Sequence, residues 1–189
     1  MKKFISRLMA VMVAVVMVFG NVPTIEVQAE ARIDDARIAI ATSGNHRAIL
    51  VDGDLWLWGS NTFGQIGNDS MNFHYHDPIH IMENVTAVSL GVGHTMAIRI
   101  DGSLWAWGLN YFGQLGDGTT TNRHNPVRIM ENVTAVSANG WHAMAMKFDG
   151  SLWAWGVNAW GQVGDGTTIN RYYPVRIMDN VMLPGDRRR

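Results

Sequence analysis

The residues of this chain best placed to do chemistry are histidines, and they fall into two groups with opposite meanings. His74 and His76 stand two apart, with Asp77 and His80 close behind. On a strand, residues i and i+2 share a face, which makes the two imidazoles weak candidates for a transition-metal pair. A divergent surface loop accounts for the same residues, so the expectation is no metal and no cofactor. His46, His94 and His142 instead recur at intervals of 48. A catalytic group is needed once, so these three are read as framework, bonding backbone at equivalent corners. No nucleophile has a base partner, and no isolated carboxylate pair occurs in an apolar setting. No catalytic residue is assigned, and the expectation is a protein that is not an enzyme.

Other polar residues recur in the same way. Asn61, Asn110 and Asn158, with Gln65, Gln114 and Gln162, punctuate a glycine-rich loop. Their amides suit the job of pinning that loop, and its glycines supply backbone conformations closed to other residues. The stretch from Gly116 to Asn125 is rich in oxygen but lacks the alternating acidic array and closing Glu of a calcium loop. No lysine follows its glycines and no helix begins there, so phosphate cradling is not supported either. Asn84-Val85-Thr86 and Asn132-Val133-Thr134 match a glycosylation sequon but sit at a repeated strand start, and are read as structural.

These residues are positioned by a repeat. Three units run over 37–84, 85–132 and 133–180, and the second and third share 32 of 48 residues. Residues 1–29 precede them as a candidate signal segment, 30–36 as a linker, and 181–189 follow as a tail. Within the second unit, Val85–Ser89 alternates as a half-buried strand does. His94–Ile100 and Ser103–Leu109 flank Asp101-Gly102, a hairpin pair in which both residues tolerate positive φ. Pro126–Met130 reads as a short fourth strand with proline at its edge-strand start. Each unit is thus a four-stranded antiparallel meander.

Tryptophan supplies the packing logic. Trp56 and Trp58, Trp105 and Trp107, and Trp153 and Trp155 lie two apart on equivalent strands, so each sheet presents an indole face. The intervening Leu104, Ala106 and Gly108 make the other face smaller, and a large face on one unit fits a small face on the next. These six indoles are expected in the core. Trp141 and Trp160 have no tryptophan counterparts in the other units, and they lead the candidate binding residues. Tyr111, Phe73, Tyr75, Tyr172 and Tyr173, also at variable positions, complete that set.

The block H-T-M-A-I-R-I-D-G-S-L-W-A-W-G-L-N-Y-F-G-Q-L-G-D-G-T from His94 to Thr119 resembles the regulator of chromosome condensation repeat family. The third unit matches from His142 to Thr167, the first more loosely from His46 to Ser70. The resemblance implies a β-propeller, usually of seven blades, each a four-stranded antiparallel sheet. The fold class expected is therefore all-β, a propeller-type array of three blades preceded by a signal-peptide helix. Closed propellers carry four to eight blades. Three suggests a piece of a longer propeller, or a homo-oligomer in which two chains head to tail close a six-bladed ring.

Composition narrows the functions. The formal net charge is −1 and charged residues make up 16%, with Arg187-Arg188-Arg189 the only basic run. That is no footprint for nucleic acid. Without cysteine, disulfides and thiolate metal sites are excluded. Lys2, Lys3 and Arg7 precede the apolar run Leu8–Phe19, and Val27-Gln28-Ala29 offers small residues for cleavage near Ala29. Twelve apolar residues are few for a membrane span, so a bacterial, secreted or cell-surface protein with no membrane association after cleavage is expected. The function expected is an exported, non-catalytic scaffold for an extracellular protein or glycan. The resemblance also implies two alternatives, guanine-nucleotide exchange on a small GTPase and inhibition of a secreted enzyme. A metal-dependent secreted enzyme rests on the cluster of His74, His76 and Asp77 alone.

Overall fold

The computed structural model describes residues 38–179 and 181. The expected signal helix, the cleavage site, the linker and the arginine tail lie outside the described residues. The chain divides into two units, 1–36 and 37–189, and every described strand belongs to the second.

Twelve strands make three sheets. The first sheet holds β1 (Ile38–Ser43), β2 (His46–Val51), β3 (Asp54–Ser60) and β4 (His74–Met82). The second holds β5 (Val85–Leu90), β6 (His94–Arg99), β7 (Leu104–Gly108) and β8 (Arg123–Met130). The third holds β9 (Val133–Asn139), β10 (His142–Lys147), β11 (Leu152–Gly156) and β12 (Arg171–Met178). Each is an antiparallel meander in chain order. The described residues contain no helix, and hence none long and apolar enough to cross a membrane. The architecture is all-β, three four-stranded blades.

Two local readings are corrected. The fourth strand does not begin at proline: β8 starts at Arg123, and Pro126 stands inside it, where the pairing with β7 shifts register between Ala106 and Gly108. An outermost strand beside a bulge can spare one amide donor, which is why proline is accepted there. The Asp-Gly hairpins also differ. In the first blade Asp52 and Gly53 both take positive φ, 53° and 90°, as a two-residue turn requires. The second blade has one more residue, Ile100. Its three-residue turn bonds Gly102 N to the Arg99 carbonyl, and Gly102 alone takes positive φ. Asp101 there accepts bonds from the Ser103 amide and hydroxyl instead, and these hold its carboxyl below the usual range.

The core lies between blades rather than within one. Leu50, Leu55, Leu57 and Ile66 of the first blade pack with Leu90, Ala97 and Trp107 of the second. Ile98, Leu104, Ala106 and Leu115 of the second pack with Ala138, Ala143, Ala145 and Trp155 of the third. Leucine and alanine on the face opposite the indoles therefore meet the next blade's tryptophan, as the face sizes predict. One indole is fully enclosed in the second and third pairs, and neither is in the first. Trp107 and Trp155 are wholly buried, whereas Trp56, Trp58, Trp105 and Trp153 are half-buried. Trp105 and Trp153 bond their ring nitrogens to Ser103 and Ser151 beside the hairpin turn. The expectation of six core indoles thus holds for two of them: the outer indole of each pair lies where the sheet ends, and the inner Trp58 has no preceding blade among the described residues to cover it.

Asn84 and Asn132 join the blades in left-handed conformation, φ 60° and 61°. Their carbonyls accept from Ile100 and Phe148, and the following Val85 and Val133 amides donate to Gly53 and Gly102. Val181 repeats that contact on Gly150 at 2.8 Å.

Candidate interaction surface

The glycine-rich loop between the third and fourth strand of each blade is pinned by its own amides. Asn110 Oδ1 accepts from the Leu115 amide, and Nδ2 donates to the Thr119 and Thr121 carbonyls and to Asp117. Asn158 does the same in the third blade, while Asn61 reaches the Ser70 and Asn72 carbonyls in the first. Gln65, Gln114 and Gln162 each accept from an amide two residues earlier. Every side-chain oxygen of Asp117 is engaged: Oδ1 by Thr119 and Asn110, Oδ2 by Arg123. Burial opposes its ionisation, but these donors outweigh burial and keep the carboxyl below the usual range. Asp165, in the same cradle with Arg171, is drawn down to about 2. The loop is self-satisfied rather than arranged around a cation. In the first blade Asn68 and Tyr75 replace the Asp and Arg, and Asn68 donates to the Tyr75 hydroxyl at 2.7 Å.

The loops also interlock between blades. An added Cβ on Gly67 would lie 2.5 Å from Trp107 Nε1, and one on Gly116 2.7 Å from Trp155 Nε1. These glycines are the space in which the next indole sits. His46 Nε2 meets Thr95 Oγ1 at 3.1 Å across the first boundary, and that hydroxyl donates to the Gln65 carbonyl at 2.8 Å. A carbonyl only accepts, so the hydroxyl proton is committed to it and His46 must carry hydrogen on Nε2. The corner histidine thus serves the blade boundary, not only its own backbone corner. Burial lowers the His46 pKa to about 4; His94, buried near His46 and His142, falls to about 3.

The variable aromatics gather at the loop end of the sheets. Tyr111 packs edge-on to Phe63 of the preceding blade, ring centres 6.1 Å apart, and Trp141 tilts over Phe112 at 5.4 Å. Trp160, at the position of Phe63 and Phe112, is 90% exposed; Tyr111 and Trp141 are 59% and 47% exposed. Phe63 and Phe112 were not among the residues selected from sequence, though their alignment with Trp160 pointed to them. Tyr172 and Tyr173 have a second role. Tyr172 lies on Gly113, Tyr173 on Gly118, and the Tyr172 carbonyl accepts from the Gly118 amide, so both seal a blade boundary. Phe73 is exposed, and Tyr75 is tied to Asn68. His74 and His76 are exposed on β4. The ring that acquires partners is His80, beside Asp54 and edge-on to Trp56, a grouping that sequence spacing did not reveal.

The blades carry a recognisable family signature. The model for the regulator of chromosome condensation (RCC1) repeat matches residues 52–98, 101–146 and 149–183, and a second model of that repeat matches 85–114 and 133–162. The chain belongs to the RCC1-repeat family. Each match of the first model begins at a hairpin turn, offset from the sheets, and the first two carry both sides of one blade boundary. No curated protein matches the chain. Among solved structures, human WBSCR16 is similar at 21% identity and TM-score 0.67, over 76% of this chain and 40% of that one. Prp20p from Saccharomyces cerevisiae, described with its binding properties to Gsp1p and histones, is similar at 22% identity and TM-score 0.66. That match covers 75% of this chain and 38% of Prp20p. Yeast RCC1 (Prp20) bound to Kap60 gives 23% identity and TM-score 0.67, over 75% and 37%. This RCC1-repeat chain therefore spans about two fifths of the length of the structures it resembles, and the likeness is one of fold.

Proposed function

We propose that this RCC1-repeat chain is an exported, non-catalytic scaffold that binds an extracellular protein or glycan through the aromatic loop ends. The observation that carries the reading is a division of labour among positions. The Asn and Gln repeated in every blade are committed to framework bonds, whereas Tyr111, Trp141 and Trp160 stand exposed where the blades differ. Indole and phenol rings offer large contact area with few rotatable bonds, as protein and sugar partners require. Export rests on the n-region, apolar run and small residues ending at Ala29. A homo-oligomer that adds blades to either end is compatible with the same surface.

Two measurements test this. N-terminal sequencing of chain recovered outside an expressing bacterial cell should begin at Glu30. Binding to an oligosaccharide array or to secreted proteins should be lost in Trp141→Ala/Trp160→Ala while the far-ultraviolet spectrum is kept. Retention of binding in that variant, or an unprocessed chain inside the cell, rejects the reading. The family suggests exchange on a small GTPase as a second reading, and accelerated release of labelled GDP would favour it.

A further inference from the structure

At the hairpin end of the sheets, opposite the aromatic loops, the blades differ in a chemically directed way. In the second blade Arg128, the register partner of Trp105, pairs with Glu131 at 3.0 Å. The third blade repeats this with Arg176, opposite Trp153, and Asp179. After each of these hairpins comes a serine, Ser103 or Ser151. The first blade changes both partners and keeps the acid. His80 takes the arginine's place opposite Trp56, Asp54 the serine's, and Glu83 remains. A fixed cation neutralising one carboxylate has become an imidazole between two. His80 Nε2 lies 3.5 Å from Asp54 Oδ1, and one ligand atom from each of the three residues falls within 4.8 Å of the others. Trp56, edge-on with ring centres 4.9 Å apart, restrains the imidazole plane.

We infer that Asp54, His80 and Glu83 form a binding site for one divalent transition-metal ion of the zinc class, present in the first blade alone. One imidazole nitrogen with two carboxylate oxygens suits zinc-like ions, which take three protein ligands and leave the fourth position to water. Two tetrahedral ligands each about 2.1 Å from zinc stand about 3.4 Å apart, close to the His80–Asp54 spacing. Glu83, exposed at the end of β4, closes the remaining gap by side-chain rotation. Calcium would ask for six to eight oxygens, which these residues do not supply. His74 and His76, the histidines that sequence spacing suggests, are not part of the site.

Calorimetric titration of the untagged, metal-stripped chain with Zn2+ tests the inference, with Co2+ absorbance reporting coordination. One equivalent is expected. The variant Asp54→Ser/His80→Arg restores the pattern of the other two blades, and it should weaken binding at least about tenfold. Glu83→Gln, at an exposed position, provides a second variant with the hairpin untouched, and it should weaken binding too. His74→Ala/His76→Ala should bind as the parent does. Absence of Zn2+ uptake by the parent, undiminished uptake in the first two variants, or loss in the third would overturn the assignment.

Discussion

The Trp155 ring nitrogen donates to the Gln114 backbone carbonyl 2.9 Å away on the preceding blade, as Trp107 does to Gln65 at 3.0 Å. The two boundaries differ in one respect. The Gln65 carbonyl also accepts from the Thr95 hydroxyl, whereas the third blade has Ala143 at the equivalent position.

That difference sets a rank order of substitutions. Trp155→Phe removes the indole donor at a boundary that has no threonine hydroxyl to replace it, at about 1–3 kcal/mol beyond the lost packing. Trp107→Phe leaves the Gln65 carbonyl with Thr95 and should cost less. Trp58→Phe, on a half-buried ring with no preceding blade among the described residues, should cost less than about 1 kcal/mol. Urea unfolding midpoints of the three variants check the order.

Glycine substitutions probe the same boundary from the other side. Gly116 and Gly164 have φ of 80° and 82°, so alanine at either carries a similar backbone strain of about 1–2 kcal/mol. At Gly116 the new Cβ would also strike Trp155, while at Gly164 its nearest neighbour is Ile177 Cγ2 at 3.5 Å. Gly116→Ala should therefore be the costlier change by roughly 1–3 kcal/mol in thermal or urea unfolding.

Ala143→Thr should stabilise the fold. Neither ring nitrogen of buried His94 has a hydrogen-bond partner among the described residues; the Val92 backbone lies near it but outside hydrogen-bonding geometry. His46 Nε2 has Thr95 as its partner, and the third blade offers His94 only Ala143 in that place. A hydroxyl there would accept from the ring, worth about 1 kcal/mol. An unfolding midpoint equal to or below the parent's would contradict this.

Acid should weaken the fold in a defined window. Burial lowers the pKa of His46 to about 4 and of His94 to about 3, from 6.5. The unfolded chain then binds protons more readily than the folded one between these limits. The contribution is full above about pH 6.5 and is lost as pH falls toward 4 and 3. Each histidine should account for roughly 2 kcal/mol of loss between pH 7 and pH 5. Asp117 and Asp165, whose pKa values are also lowered, lose their contribution only below the ordinary carboxylate range, so the two effects separate in denaturation curves taken across pH.

Much of this was legible from residue types and spacing. The recurrence of His, Asn, Gln and Gly marked framework positions, and the Asn110 and Gln114 amides do pin their loop. The i, i+2 spacing of the tryptophans identified one face, but not which ring would be enclosed. That depends on Gly67 and Gly116, on another blade, leaving room for the inner indole. The Asp-Gly turns were legible as hairpins; their type changed with one inserted residue, Ile100, because loop length sets where positive φ falls.

By itself the sequence determined the strands, their meander and the stacking of a larger face on a smaller one, since alternation, turn chemistry and side-chain volume are local or periodic properties. Only the tertiary structure decided which groups meet across a blade boundary or a register bulge. Tyr172 and Tyr173 lie on glycines of the preceding blade rather than standing free. Asp54 and His80 are far apart along the chain, and pairing of β3 with β4, shifted between Leu55 and Trp56, brings them to 3.5 Å. Such contacts are set by register and by the next blade's backbone, which no spacing along one unit encodes.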